Sequence, residues 1–163
     1  NPCPCGFFNH PGKKCSCGNG HVQKYLGRVS GPLLDRIDLH IEVVPVSFDK
    51  LSDLPPAESS SVIRDRIILA REIQTRRFKE VNGIYCNAQM SPRLMRKFVR
   101  IDEPGRLILK QAMERLGLSA RAYDRILKVS LTIADLDGSQ AIKSHHLAEA
   151  VNYRTLDRDM WGA

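Results

Sequence analysis

The stretch Leu118-Ser-Ala-Arg-Ala-Tyr-Asp-Arg-Ile-Leu-Lys-Val-Ser-Leu-Thr-Ile-Ala-Asp-Leu-Asp-Gly138 decides the fold of this 163-residue chain. Ser119 is a good N-cap, because its hydroxyl can accept from an amide of the first turn. Tyr123, Ile126, Leu127, Ser130, Ile133 and Ala134 recur at helical spacing and predict one buried face. Asp137-Gly138 breaks the run. The stretch therefore predicts a long amphipathic helix in a helical domain.

Working outward, the same signals repeat. Downstream, Ser144 begins a last helix that runs to about Arg154. Upstream, Glu103-Pro104 starts a helix that Gly117 closes. Ser91-Pro92 is an N-cap followed by proline at the first helical position. Asn82-Gly83 marks a turn. Before it, Val62, Ile63, Ile67, Ala70 and Ile73 make an apolar stripe, with Arg64, Arg71, Arg76 and Arg77 largely off it. Residues 61–163 thus predict a bundle of about five helices.

The first third reads differently. Residues 46–60 are a linker ending in Pro55-Pro56-Ala57-Glu58-Ser59-Ser60. Ile37-Asp-Leu-His-Ile-Glu-Val43 alternates apolar and polar, the period of a strand. Residues 25–36 hold a short helical turn that Pro32 can start. Residues 1–24, rich in Gly, Pro, Asn and Cys, predict a loop. A lone strand forms no stable sheet. That strand, and the opening Asn1-Pro2-Cys3 without Met, predict a piece of a longer protein.

Composition narrows the function classes. Lys and Arg outnumber Asp and Glu by 25 to 18, a formal charge of +7. That excess suits a polyanion such as nucleic acid or nucleotide phosphate, and equally a basic solvated surface. No apolar run of about eighteen residues exists to span a membrane. Four of the five cysteines crowd into Cys3-x-Cys5 and Cys15-x-Cys17, leaving only Cys86 beyond. A secreted disulfide framework spreads its cysteines. The clustering predicts a reducing, cytoplasmic setting and a local thiol site. Four thiolates could hold a tetrahedral Zn2+, with His10 and His21 as spare donors. The one-residue spacer is tighter than the usual knuckle and matches no ferredoxin pattern, and free thiols remain the alternative. His145 and His146 are adjacent, point apart on a helix, and read as cap and surface. Asp135 and Asp137 read as turn chemistry.

Five segments in order resemble one family. They are Asn1–Gly6 (NPCPCG), residues 30–43 (SGPLLDRIDLHIEV), 118–128 (LSARAYDRILK), 132–138 (TIADLDG) and 146–158 (HLAEAVNYRTLDR). The chain resembles the magnesium-chelatase-like AAA+ ATPases of the ComM/YifB type over nearly its whole length. The resemblance implies a mainly α chain: residues 1–47 as the end of an α/β ATPase core, 48–60 as linker, and 61–163 as a helical lid. It implies that Asn1 is the sensor 1 residue, Arg36 an arginine finger acting on a neighbouring subunit, and Arg121 the sensor 2 arginine. Arg28 is a weaker substitute for the finger, and Arg125, one turn beyond Arg121, is expected to face solvent. It further implies ATP and Mg2+ as cofactors, a hexameric ring, and work on branched DNA. One position departs from the pattern: Leu131 stands where relatives usually carry arginine. That puts in doubt any contact of this position with DNA or a neighbouring subunit.

The chain contains no Gly-x4-Gly-Lys-Ser/Thr loop, so by itself it is expected not to hydrolyse ATP. Two other readings stay open at this stage. One is the ATPase subunit of a magnesium–porphyrin chelatase, against which the NPCPCG segment argues. The other is a non-enzymatic helical module that binds DNA.

Overall fold

The computed structural model describes residues 1–41, 43, 46 and 57–154. The sequence's interval of cysteines and glycines is not all loop. Helix α1, Asn19–Leu26, forms there and buries Val22 and Leu26, one turn apart. These two carry too little apolar surface to announce a helix in so polar a context. They pack against Cys3, Cys5, Phe8, Cys15 and Cys17 as a small core of their own. Helix α2, Gly31–Leu34, is one turn with proline at its start, as the sequence predicts.

The strand expected at 37–43 does not form. Residues 37–41 carry no strand and bend at Asp38, and Glu42 lies outside the described residues. The period-two pattern is genuine, but a strand needs a partner, and no strand exists among the described residues to supply one. Leu39 and Ile41 are accordingly exposed. Most of the linker, and everything after Arg154, lies outside the described residues.

Five helices follow: α3 (Ser60–Phe78), α4 (Pro92–Phe98), α5 (Glu103–Arg115), α6 (Ala120–Leu136) and α7 (Ser144–Asn152). A single 3-10 turn, Asn87–Gln89, sits between α3 and α4. The expected caps are in place. Ser91 and Ser119 accept from the Leu94 and Ala122 amides, and Ser59, which the sequence leaves in the linker, accepts from the Val62 amide. At the start of α5 the cap is Asp102, which accepts from the Gly105 amide at 2.8 Å. Gly117, at φ +56°, ends the same helix, and the Leu118 amide reaches back to the Met113 carbonyl. Gly105 is required for another reason. A β-carbon there would stand 2.6 Å from Ile101 and 2.7 Å from Leu147, so α5 and α7 could not approach as they do.

Helix α6 is the centre of the bundle. It buries Ala122, Ile126, Leu127, Ser130, Leu131, Ala134 and Asp135 against its neighbours. The face is rotated slightly from the one the sequence suggests: Tyr123 is 37% exposed, while Leu131 and Asp135 point inward. The buried Ser130 hydroxyl is satisfied by the Ile126 carbonyl at 2.8 Å. Leu131 is thus a core residue in this chain.

Helix α3 corrects the sequence twice. Of the expected stripe only Ala70 is buried, and Val62, Ile63 and Ile67 are exposed; Gln74 and Phe78, outside that stripe, complete the buried face. Arg77, expected off the buried face, reaches into the bundle. It makes a bidentate pair with Asp135, with Nη1 at 2.8 Å from Oδ2 and Nη2 on Oδ1, and donates to Asn87 Oδ1 at 2.7 Å. Asn87 Nδ2 donates to Asp135 Oδ2 at 2.8 Å and to Thr132 Oγ1 at 3.1 Å. Asp135 is therefore not turn chemistry but a buried anion inside α6.

Removing one partner of such a pair leaves an uncompensated charge in the core. We expect Arg77→Ala, and separately Asp135→Ala, to lower unfolding free energy by about 3–5 kcal/mol in urea titrations. Arg66→Ala, which breaks the exposed pair with Glu58, should cost less than about 1 kcal/mol.

Candidate functional site

Arg36 follows α2 and is exposed. Its Nη1 donates to the Pro32 carbonyl at 2.5 Å, so at rest the guanidinium covers the C-terminal end of its own helix turn. Its backbone is held from elsewhere. The buried Arg154 donates from Nη2 to the Leu34 carbonyl at 3.3 Å and from Nη1 to the Ile37 carbonyl. The His40 amide donates to the Tyr153 carbonyl at 2.8 Å. Asp38 pairs with Arg125 of α6 at 2.8 Å. The segment around Arg36 is therefore pinned to α6 and to the end of α7, while the Arg36 side chain stays exposed.

Arg121 lies in the first turn of α6, exposed, just after the Ser119 cap. Arg125 is one turn further along the same stripe, and its pairing with Asp38 corrects the expectation that it faces solvent. Through that pair, the stripe carrying Arg121 and the segment carrying Arg36 belong to one side of α6. Arg28 is placed differently, with its guanidinium over the Tyr25 ring at 5.3 Å. Asn1 is exposed and lies beside Gly6, its Cγ 3.8 Å from where a β-carbon of that glycine would be. Sequence reasoning missed Arg154 and the Asp38–Arg125 pair. A basic residue at a helix end carries no mark of what it will bind 117 residues away.

The four clustered cysteines converge. Cys3 Sγ is 3.4 Å from Cys5 Sγ and 3.8 Å from Cys15 Sγ, and Cys5 is 3.6 Å from Cys15. Cys17 completes the group, with all four sulfurs within 4.8 Å of one another. A tetrahedron with Zn–S bonds of about 2.3 Å has sulfurs about 3.8 Å apart, so the spacing fits. Backbone amides aim at the sulfurs: Phe8 N–H at Cys3 (3.3 Å) and Cys17 N–H at Cys15 (3.4 Å). The amides of Phe7 and Ser16 hold the Cys5 thiol down to about 5, against the effect of burial. Cys15 is pushed up to about 12. The Cys17 amide opposes that shift, but burial and the neighbouring thiols outweigh it. In a close sulfur cluster without a cation, a negative charge on one sulfur opposes ionisation of the next.

A second cluster, Asp137, His145 and His146, has its donor atoms within the same reach. His146 is buried, contrary to the expectation of a surface residue. Its Nδ1 accepts from the Lys143 amide at 3.0 Å, which leaves the proton on Nε2 to face Asp137 Oδ2 at 3.2 Å. A metal on Nε2 would move that proton to Nδ1, against an N–H donor. The arrangement is a helix cap for α7 that ties it to the end of α6, and the capping half of the expectation holds. Ser139 first, then His146, hold the Asp137 carboxyl below the usual range.

Comparison with known proteins agrees with this architecture. Residues 57–154 match the family model for the C-terminal region of magnesium chelatase subunit ChlI, and residues 1–51 match the model for magnesium chelatase subunit ChlI. The chain belongs to this magnesium-chelatase family. It is 39% identical over 159 residues to the Escherichia coli (strain K12) protein YifB, and equally to the competence protein ComM of Haemophilus influenzae. A Mycobacterium tuberculosis (strain H37Rv) protein is 36% identical over 154 residues. These matches cover 97%, 97% and 94% of this chain but 30% of each relative, so the chain spans about a third of their length. Among the described residues, no helix is long and apolar enough to cross a membrane.

Arg154→Met keeps bulk but removes both carbonyl contacts. We expect amide hydrogen exchange in residues 34–41 to quicken at least tenfold, with α3 and α6 unchanged. Equal protection in the variant would show that Asp38 and His40 hold the segment alone.

Proposed function

We propose that the chain is the ATP-sensing part of an AAA+ ATPase of the magnesium-chelatase-like type, divided into a core end (residues 1–47), a linker (48–60) and a helical lid (61–163). The single observation that carries the reading is the Asp38–Arg125 pair, which ties the Arg36 segment to the Arg121 side of α6. A nucleotide-responsive device needs such a tie between its two cationic parts. In this reading Arg36 is an arginine finger for the ATP site of a neighbouring subunit. Arg121 is a sensor 2 arginine on the same subunit's ATP, and Asn1 a sensor 1 amide that orients the attacking water. The chemistry suits them. Phosphoryl transfer gathers charge on the γ-phosphate oxygens, and a planar guanidinium stabilises it. The exposed Arg36 side chain on a pinned backbone is placed to leave its resting carbonyl for a phosphate.

ATP and Mg2+ are then the cofactors of the longer protein, and self-association into a hexameric ring follows from a finger that acts in trans. Branched DNA is the proposed substrate. The charge of +7 and the 39% identity to a protein named for competence support it. The clustered free thiols suit a reducing cytoplasm. A second reading, the ATPase subunit of a magnesium–porphyrin chelatase, is favoured by the description of both matching family models. ATP hydrolysis by the longer protein, with and without branched DNA, separates the two: stimulation supports the DNA motor, and indifference favours the chelatase. In that protein Arg36→Ala should lower hydrolysis by about 10³–10⁵ while nucleotide binding persists. A variant that hydrolyses normally removes the finger assignment.

We further propose Zn2+ at Cys3, Cys5, Cys15 and Cys17. The sulfur spacing and the inward amides support it, because a divalent cation lets all four thiols ionise together. The metal would hold a loop whose own core is little more than Val22 and Leu26. Elemental analysis of protein purified without chelator should find about one zinc per chain, and Cys15→Ser should lose it. A folded, metal-free protein with unchanged α1 helicity would refute the site.

A further inference from the structure

One cavity lies away from the Arg36–Arg121 side. It is a groove of about 570 Å3 between the α4–α5 connection, α5 and the start of α6. Three cations line it: Arg100 on the connection, and Arg106 and Lys110 one turn apart on α5. Its floor is apolar, with Leu109 and Met113, and Tyr123 of α6 contributes a half-exposed ring. At about 100° per residue, Tyr123 lies about 200° round α6 from Arg121, so the groove is on another face from the proposed ATP-sensing arginine.

We propose that this groove binds single-stranded DNA, with a base stacked on Tyr123 and flanking phosphates on Arg100, Arg106 and Lys110. The combination is what a strand asks for. Phosphates need cations spaced along a channel, and a base needs an aromatic ring beside apolar surface. A free anion site would need no aromatic ring, and a purely apolar ligand would make no use of the three cations. The acids nearby do not close the site. Glu103 is 3.7 Å from Arg106 and Glu114 is 3.9 Å from Lys110, but all four side chains are about 70% exposed. Such surface pairs are weak and exchange readily for phosphate. Asp102 is engaged as the α5 cap, and Arg100 is in no ion pair with these acids. The cavity volume is in the range of sites that enclose one small ligand, which here is one nucleotide unit of the strand.

The inference rests on DNA being the partner, and places on the lid a strand contact that the finger and sensors do not supply. The test is anisotropy of a fluorescent oligothymidylate titrated with the 163-residue chain across a salt series. Tyr123→Ala should weaken binding about tenfold and Tyr123→Phe should restore it, since stacking needs the ring and not the hydroxyl. Arg100→Ala with Lys110→Ala should flatten the logarithmic salt slope by about 1.4. Arg64→Ala, an exposed cation on α3, should change affinity little. Thermal melts by circular dichroism check that each variant is folded. Binding by the chain that is indifferent to Tyr123, Arg100 and Lys110 overturns the groove and leaves DNA as the partner. No binding of oligothymidylate at low salt overturns the groove as well. DNA-stimulated hydrolysis by the longer protein reads the wider proposal independently.

Discussion

The buried pairing of Arg77 with Asp135 is the constraint on which the helical part depends. An anion inside a helix that is otherwise apolar on that face is tolerable only if every oxygen is engaged. Arg77 takes both carboxylate oxygens and Asn87 takes one of them again, so α3, the 3-10 turn and α6 are fixed at one rotation relative to each other. Apolar packing alone would not set that rotation. Apolar contacts are non-directional, whereas a misaligned register would strand the charge. The pair is thus better understood as specifying the arrangement than as adding stability, because an apolar substitute of equal volume can be as stable. Gln74 adds to the same network, accepting from the Asn87 amide at 3.4 Å.

That geometry decides where the functional side chains go. With α6 fixed in rotation, Arg121 and Arg125 share one stripe and Tyr123 another. Arg125 then meets Asp38, and the segment bearing Arg36 is drawn to the stripe of Arg121. An exposed pair of this kind contributes little to stability, since both groups stay partly hydrated. Its value is positional. The buried Arg154 does the heavier holding, because it satisfies two carbonyls that no strand ladder takes up. Helix α7 therefore serves the Arg36 segment as well as the bundle.

What the sequence revealed, and what it did not, follows from the range of the interactions. Caps and stops are local: Ser91, Ser119 and Gly117 act within a turn of themselves and could be read residue by residue. So could the cysteines, since two close pairs separated by a short loop have few places to go. Long-range choices were hidden. The stripe of α3 looked uniform from Val62 to Ile73, yet only its second half meets another helix. Arg77 resembled the other surface arginines until Asp135 was found opposite it. The alternation at 37–43 was correct as a pattern, but pairing is a property of two segments, and among the described residues the second is absent. His146 is buried and not a surface residue because its ring turns back on its own helix start, where it accepts from the Lys143 amide.

The magnesium-chelatase relationship gives these details a direction without making them follow from it. Asn1, Arg36 and Arg121 are proposed roles carried on matched motifs, and Leu131 shows why matching must stop at the residue. Position 131 of this chain is a leucine inside the core, and a charged side chain on that face would need to reach out to solvent or find a second anion. Leu131 therefore belongs to the bundle's interior and not to its surface. A strand-binding role for the lid would then have to be carried by another face. In this chain the cations that stand together in a concave setting, with an aromatic ring among them, are Arg100, Arg106 and Lys110 beside Tyr123. Because Tyr123 and Arg121 are on opposite sides of one rigid helix, any rotation of α6 that brings Arg121 toward a phosphate must also move the groove. A motor that converts nucleotide state into displacement of a strand needs no more elaborate linkage than that shared helix.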